Sequence, residues 1–133
     1  MLSTLHIENI AVIEQAEITF DHGFNVLTGE TGAGKSIVID AISAILGERA
    51  SREMIRTGAQ KAFVSAIFTG VPELPWFAEN QVPYEPELGI SREIFADGKN
   101  SCRVSGKPVT VSTLRRLGVQ LIQIHGQNDS QQL

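Results

Sequence analysis

The sequence predicts an α/β fold in which an antiparallel β portion packs beside a parallel core sheet, and one helix opens directly out of a glycine-rich loop. Three observations predict it. The run Gly29-Glu30-Thr31-Gly32-Ala33-Gly34-Lys35-Ser36 reads G-x-x-x-x-G-K-S. On either side of it, Phe24-Asn25-Val26-Leu27-Thr28 has the apolar composition of a short buried strand, and Val38, Ala41, Ile42 and Ile45 recur at i, i+3, i+4 and i+7 before Gly47. Upstream, residues 4–8 and 16–20 alternate polar and apolar side chains as an antiparallel pair does, and Asp21-His22-Gly23 supplies a turn into Phe24.

Strand, glycine loop and helix form the context in which this motif holds phosphate. A triphosphate needs many donors at close range, and a tight turn running into a helix N-terminus offers them as backbone N–H groups. Gly29, Gly32 and Gly34 let the chain turn and approach the phosphates with no Cβ in the way. Together with Glu30, Thr31 and Ala33 they form the expected nucleotide cradle. Lys35 is expected to reach the β- and γ-phosphates, and the Ser36 hydroxyl to ligate Mg²⁺. With ordinary Gly, Lys and Ser/Thr usage, the pattern arises by chance in roughly half a per cent of chains of this length. An accidental glycine turn is therefore the weaker reading.

At 133 residues and 42% hydrophobic content the chain is long enough for one modest domain with a core. No apolar stretch approaches the ~20 residues of a membrane span, and the opening Met1-Leu2-Ser3-Thr4-Leu5-His6 has neither the basic nor the apolar region of a secretory signal. The expected location is cytoplasmic, with no membrane partner. The single cysteine, Cys102, excludes an internal disulfide framework and is expected to pack within a strand. A net charge of −4 excludes the global basic footprint of a nucleic-acid binder, so any DNA contact must be local. Arg49, Arg52, Arg56 and Lys61 cluster after the first helix, and Lys99, Arg103 and Lys107 flank the later turns; solvated surface charge is the plainer reading of each.

Farther along, residues 62–68 read as a strand, and residues 71–86, with four prolines, as a loop. Residues 88–95 and 101–104 flank Asp97-Gly98-Lys99-Asn100, a hairpin signal, and Ser105-Gly106-Lys107-Pro108 is a second tight turn. Thr110 or Ser112 can cap a short helix through Arg115-Arg116-Leu117 that stops at Gly118. Residues 119–124 then predict an interior strand ending in His125-Gly126-Gln127. His6 and His22 read as surface residues. Gln127 would lie on a loop beyond the carboxyl end of a strand, where ligands bind in open α/β sheets. An amide there can bond Mg²⁺ or the attacking water; the alternative is a structural turn.

Together these features resemble the N-terminal half of an ABC-type ATPase head of the SMC-like group, and within it the heads of bacterial DNA-repair proteins. The resemblance covers essentially the whole chain. It rests on Leu2-Ser3-Thr4-Leu5-His6-Ile7-Glu8-Asn9-Ile10-Ala11-Val12-Ile13 and on the phosphate loop from Thr28. Further matches are Leu46-Gly47-Glu48-Arg49-Ala50, Ile55-Arg56-Thr57-Gly58, Arg92-Glu93-Ile94 with Asp97-Gly98-Lys99-Asn100-Ser101, and Ile122-Gln123-Ile124-His125-Gly126-Gln127. The resemblance implies a P-loop NTPase of ABC/SMC head type, with residues 1–133 as its N-terminal lobe. It implies that ATP and Mg²⁺ are the cofactors, that Lys35 is catalytic, and that Gln127 is the Q-loop residue, catalytic and magnesium-ligating together with Ser36. The implied partners are DNA, the C-terminal lobe of the same protein and a second head in an ATP-dependent dimer, with a nucleoid-associated location. Arg49, Arg52 and Arg56 fall where arginines lie near nucleotide or DNA in related heads.

The pattern lacks the apolar run ending in Asp-Glu and the Ser-Gly-Gly signature, which in such proteins sit on the C-terminal lobe beyond a long coiled coil. Residues 128–133 therefore look like a cut point, and the chain is expected to be half an ATPase site, nearly inactive alone. The implied activity is ATP hydrolysis coupled to head engagement in double-strand-break repair and recombination. The competing classes are the nucleotide-binding subunit of an ABC transporter and a small P-loop kinase. A kinase needs an arginine-bearing lid and an acceptor pocket, for which the sequence offers no candidate.

Overall fold

A computed structural model describes the backbone of residues 1–20 and 32–132, with all side chains there except those of residues 32–34 and 125–132. The expected turn at 21–23, the strand at 24–28 and the loop residues Gly29, Glu30 and Thr31 lie outside the described residues.

The elements are β1 (Leu2–Ile10), β2 (Ile13–Thr19), α1 (Gly32–Ile45), β3 (Lys61–Phe68), α2 (Pro75–Glu79), β4 (Leu88–Phe95), β5 (Asn100–Val104), β6 (Lys107–Val109) and α3 (Val111–Gln132). The strands form one six-stranded sheet in the order β2-β1-β3-β4-β5-β6. Every pairing among the described residues is antiparallel. This sheet is the expected antiparallel portion, larger than the alternating segments alone suggested.

Period-two alternation decides which face is the core. Leu5 and Ile7 of β1 stand opposite Ala66 and Val64 of β3, which in turn stand opposite Ile90 and Arg92 of β4. All six side chains are buried, on the face that α1 and α3 cover. The opposite face carries polar and mixed contacts: His6 Nε2 lies 2.7 Å from Glu8 Oε2, and Lys61 Nζ donates to Glu93 Oε2 at 2.6 Å. Cys102 is buried on β5, as expected.

The proline-rich stretch 71–86 holds more structure than its composition predicts. It contains α2, whose Trp76 and Phe77 are buried, and Phe77 stacks edge-on with both Trp76 and Tyr84 at 5.3 Å between ring centroids. Trp76 Nε1–H donates to Thr113 O at 2.9 Å, joining this layer to the start of α3. The two tight turns fall as expected. Gly98 takes φ 93°, and Ser105 and Gly106 take φ 53° and 81°, the paired positive angles of a type I′ hairpin turn.

The C-terminal expectation is corrected. Residues 111–132 form one helix of 22 residues, not a short helix followed by a strand at 119–124. Thr110 does cap it, its Oγ1 accepting from Thr113 N at 3.1 Å. Leu114, Leu117, Gly118 and Leu121 are all buried, at i, i+3, i+4 and i+7, which is a helical stripe. Val119 and Ile122, which made the run look like an interior strand, are 42% and 47% exposed. Gly118 does not stop the helix. A Cβ at that position would stand 2.0 Å from Leu46 O, so its missing side chain admits the end of α1 against α3. Among the described residues no helix is long and apolar enough to cross a membrane.

Candidate nucleotide site

The site is built on α1. The helix begins at Gly32 and runs for 14 residues. Its N-terminal turn offers N–H groups that no carbonyl of the same helix can take, and its macrodipole places partial positive charge there. Ile37, Val38, Ala41, Ala44 and Ile45 are buried against the sheet. Lys35 and Ser36 are exposed on the adjoining face. The phosphate-loop lysine and serine therefore stand side by side on the first turns of a helix whose apolar face is packed. Gly32, Ala33 and Gly34 are described by backbone alone, as the opening of that helix.

The far end of α1 is held in two ways. Gly47 takes φ 87° and its N–H donates to Ala44 O at 3.1 Å, while Glu48 N donates to Ser43 O at 3.1 Å. These are the two bonds of a Schellman cap. A Cβ on Gly47 would lie 2.4 Å from Arg115 Cα, so this turn and α3 meet at glycine on both sides. The second hold is Arg92, 2% exposed, whose Nη1 donates to Ala44 O at 2.8 Å and to Glu48 O at 2.6 Å. Its Nε donates to Asn100 Oδ1 at 2.9 Å. Burial lowers the Arg92 pKa from its usual value, an effect opposed by Cys102 across the strand.

The arginine segment after α1 is laid along the end of β1. Arg56 N donates to Asn9 O at 2.8 Å, Ala11 N donates to Met54 O at 2.7 Å, and Ile10 bridges Ile55. Ser51 caps the 3₁₀ turn Arg52–Met54, its Oγ accepting from Glu53 N at 3.0 Å. Arg49 and Arg52 are exposed, whereas Arg56 is half-buried, its Nε without a partner among the described residues.

Gln127 falls within α3, so the geometric reason for it, a loop beyond a strand, does not hold. Its side chain and that of His125 lie outside the described side chains. The role of Gln127 then rests on the family resemblance. The donors at hand suit magnesium: a serine hydroxyl is a hard oxygen ligand, and this ion is ordinarily held by one or two protein oxygens together with phosphate oxygens. Among the described residues no cluster of three or more His, Cys, Asp or Glu side chains forms a separate metal site. The feature that sequence reading undervalued is Arg92, whose signal was an arginine at a core-facing position of an otherwise apolar strand.

A helix opening within the glycine motif, with Lys35 and Ser36 exposed and its apolar face packed on an antiparallel sheet, fits the fold of a P-loop NTPase head. The chain belongs to the AAA domain family, whose model matches residues 4–107. It is 47% identical to the DNA repair protein RecN of Bacillus subtilis, a match that takes in 100% of the chain and 24% of that protein. The fold superposes with a TM-score of 0.67 on a structure of SMC ATPases solved to explain their ATP-driven dimerization and DNA-stimulated activation. That match covers 86% of this chain and 75% of the other, at 26% identity. The SMC head domain from Thermotoga maritima gives 0.63 at 25% identity, covering 86% of this chain and 41% of that one. The chain therefore has the SMC-type head fold and spans about a quarter of the length of the curated relatives it matches.

Proposed function

We propose that the chain is the ATP-binding half of an SMC-like ATPase head acting in DNA double-strand-break repair and recombination. One observation carries the reading: Lys35 and Ser36 stand exposed on the first turns of a helix led by a glycine loop, in a fold shared with SMC heads. Similarity to RecN across the whole chain supports the repair assignment. The transporter and kinase alternatives share the loop, whereas the relatives named above are a DNA repair protein and SMC heads.

In this mechanism the loop amides from Gly29 to Gly34 and the Lys35 ammonium hold the triphosphate, and Lys35 offsets charge on the γ-phosphate as it is transferred. Ser36 and Gln127 are the proposed magnesium ligands, and Gln127 is also proposed to orient the attacking water. Ser36 and Gln127 would hold the ion, which would supply positive charge against the triphosphate. Hydrolysis further needs a general base and a signature from a second head. Neither occurs in this sequence, so residues 1–133 alone should bind nucleotide yet turn it over very slowly. The proposed partners are accordingly the C-terminal lobe of the same protein, a second head and DNA, in the cytoplasm at the nucleoid.

The test is a nucleotide titration of the complete protein and its Lys35→Ala variant, with hydrolysis measured with and without double-stranded DNA ends. Saturable Mg-ATP binding that Lys35→Ala abolishes, and turnover that DNA stimulates, are expected. Binding unaffected by Lys35→Ala would overturn the site; phosphate transfer to a small acceptor would favour the kinase reading.

A further inference from the structure

Arg92 is the buried charged side chain among the described residues. It occupies a core-facing position in the middle of β4, between Ile90 and Ile94, where strand alternation calls for an apolar residue. No carboxylate within the described residues pairs with it. Its compensation comes instead from neutral oxygens: Asn100 Oδ1 at the start of β5, the main-chain carbonyl of Ala44 in the last turn of α1, and that of Glu48 just past the helix. Ala44 O lies in the last turn of α1, at the negative pole where a cation is favoured, and Glu48 O follows just beyond the Gly47 cap. In a low-dielectric interior such charge-assisted bonds are short and intolerant of displacement.

The mechanical consequence follows from the geometry of a helix. Lys35 lies nine residues before Ala44, about 14 Å along a rod that rises 1.5 Å per residue. The end opposite the phosphate loop is pinned to the sheet by the Arg92 fork and to α3 by the contact through Gly47 and Gly118. A rod held at one end and packed along one face carries its other end in a set direction. We infer that Arg92 is a positioning residue for the nucleotide site: by fixing the C-terminal end of α1 against β4, it sets where Lys35, Ser36 and the first-turn N–H groups present themselves to phosphate. This rests on the phosphate-site reading above.

The experiment compares Arg92→Met, Arg92→Lys and wild type in the complete protein. Arg92→Met keeps the length and removes every donor; Arg92→Lys keeps the charge without the fork. Phe77→Leu, in the aromatic cluster of α2, serves as the control for lost stability alone. All are measured well below their melting temperatures for Mg-ATP affinity, single-turnover hydrolysis and backbone amide exchange along α1. Turnover should fall by about tenfold or more in Arg92→Met, because small misplacements far from the reacting atoms act on rate at that scale. Affinity should weaken with it, Arg92→Lys should recover part of the loss, and α1 amides should exchange faster while those of β3 stay protected. Phe77→Leu should lose melting temperature without losing affinity or rate. Wild-type affinity and turnover in folded Arg92→Met would overturn the inference. If that variant does not fold, Arg92→Lys and Asn100→Ala carry the same test. Amide exchange needs no nucleotide, so it separates the two readings. If wild type fails to bind Mg-ATP, the site reading fails, and unchanged α1 exchange in Arg92→Lys would overturn the positioning role by itself.

Discussion

At the scale of single residues, two side chains carry opposite expectations. Lys35 is exposed and takes part in none of the described ion pairs, so its removal should cost the empty protein little. Its effect should show only with ligand. At Mg-ATP a hundred times the dissociation constant, binding stabilises the fold by about 2.7 kcal/mol, and Lys35→Ala should remove most of that in a thermal melt. An equal shift in the mutant would count against the loop. Cys102 is the reverse case, buried and away from any ligand. Burial pushes its thiol pKa up, and the neighbouring Arg92 cation only partly opposes the shift. A raised folded pKa means that the native state keeps a proton which the unfolded chain releases. The thiol's contribution is thus complete below the unfolded pKa and is lost as pH rises from there through the folded value. Urea melts at pH 7 and at about pH 9.5, above the ordinary thiol pKa, should show wild type losing more stability than Cys102→Ala. Equal losses would remove the linkage.

At the scale of elements, the informative contact is the crossing of α1 and α3, and glycine substitutions probe it. Gly118→Ala drives a methyl to 2.0 Å from Leu46 O, and Gly47→Ala adds a clash with Arg115 backbone to a strained positive φ. Each should destabilise by about 3 kcal/mol or more, since backbone cannot yield as a flexible side chain does. Gly58, at φ 92° in open space, should cost only the left-handed conformation, about 1–2 kcal/mol. Gly89→Ala meets nothing and should stay within about 0.5 kcal/mol. Chemical denaturation of the four variants checks the order; a mild Gly118→Ala would mean that α1 and α3 do not meet at this glycine. The same crossing explains what sequence could and could not tell. Alternation in β1, β3 and β4, helical spacing in α1 and the Asp97-Gly98 and Ser105-Gly106 turns were legible because each is set within a few residues. The nature of residues 119–124 was not, because the decisive fact about Gly118 is a partner more than seventy positions away. Read alone, a glycine after Arg115-Arg116-Leu117 resembles a helix stop; read against Leu46, it is the place where two backbones touch. Arg92 escaped for the same reason: its meaning lies in carbonyls on another element.

At the scale of the whole molecule, the proposed division between binding nucleotide and hydrolysing it can be decided at Gln127. It lies in the last turns of α3, the end of the chain farthest in sequence from the phosphate loop. Two consequences of substitution can be told apart. As an ordinary helix residue, Gln127→Ala should be neutral or slightly stabilising, since alanine is the better helix former, and both ATP affinity and turnover should stay at wild-type levels. As the residue that orients water or ligates magnesium, it would act on the reaction rather than on phosphate binding, which is proposed to come from Lys35 and the loop amides. Affinity should then stay within a few fold while turnover falls by about a hundredfold, the scale on which loss of one transition-state contact acts. The measurement is a binding titration and a single-turnover assay on the same complete protein, after a melt has shown that it is folded. Residues 1–133 alone should fail in turnover with or without the substitution, so the separation should appear only in the complete protein, where the proposed C-terminal lobe and second head would complete the site. Wild-type single-turnover hydrolysis by folded, ATP-saturated Gln127→Ala would remove this residue from the mechanism and leave Lys35 and Ser36 as the chain's own contribution to the chemistry.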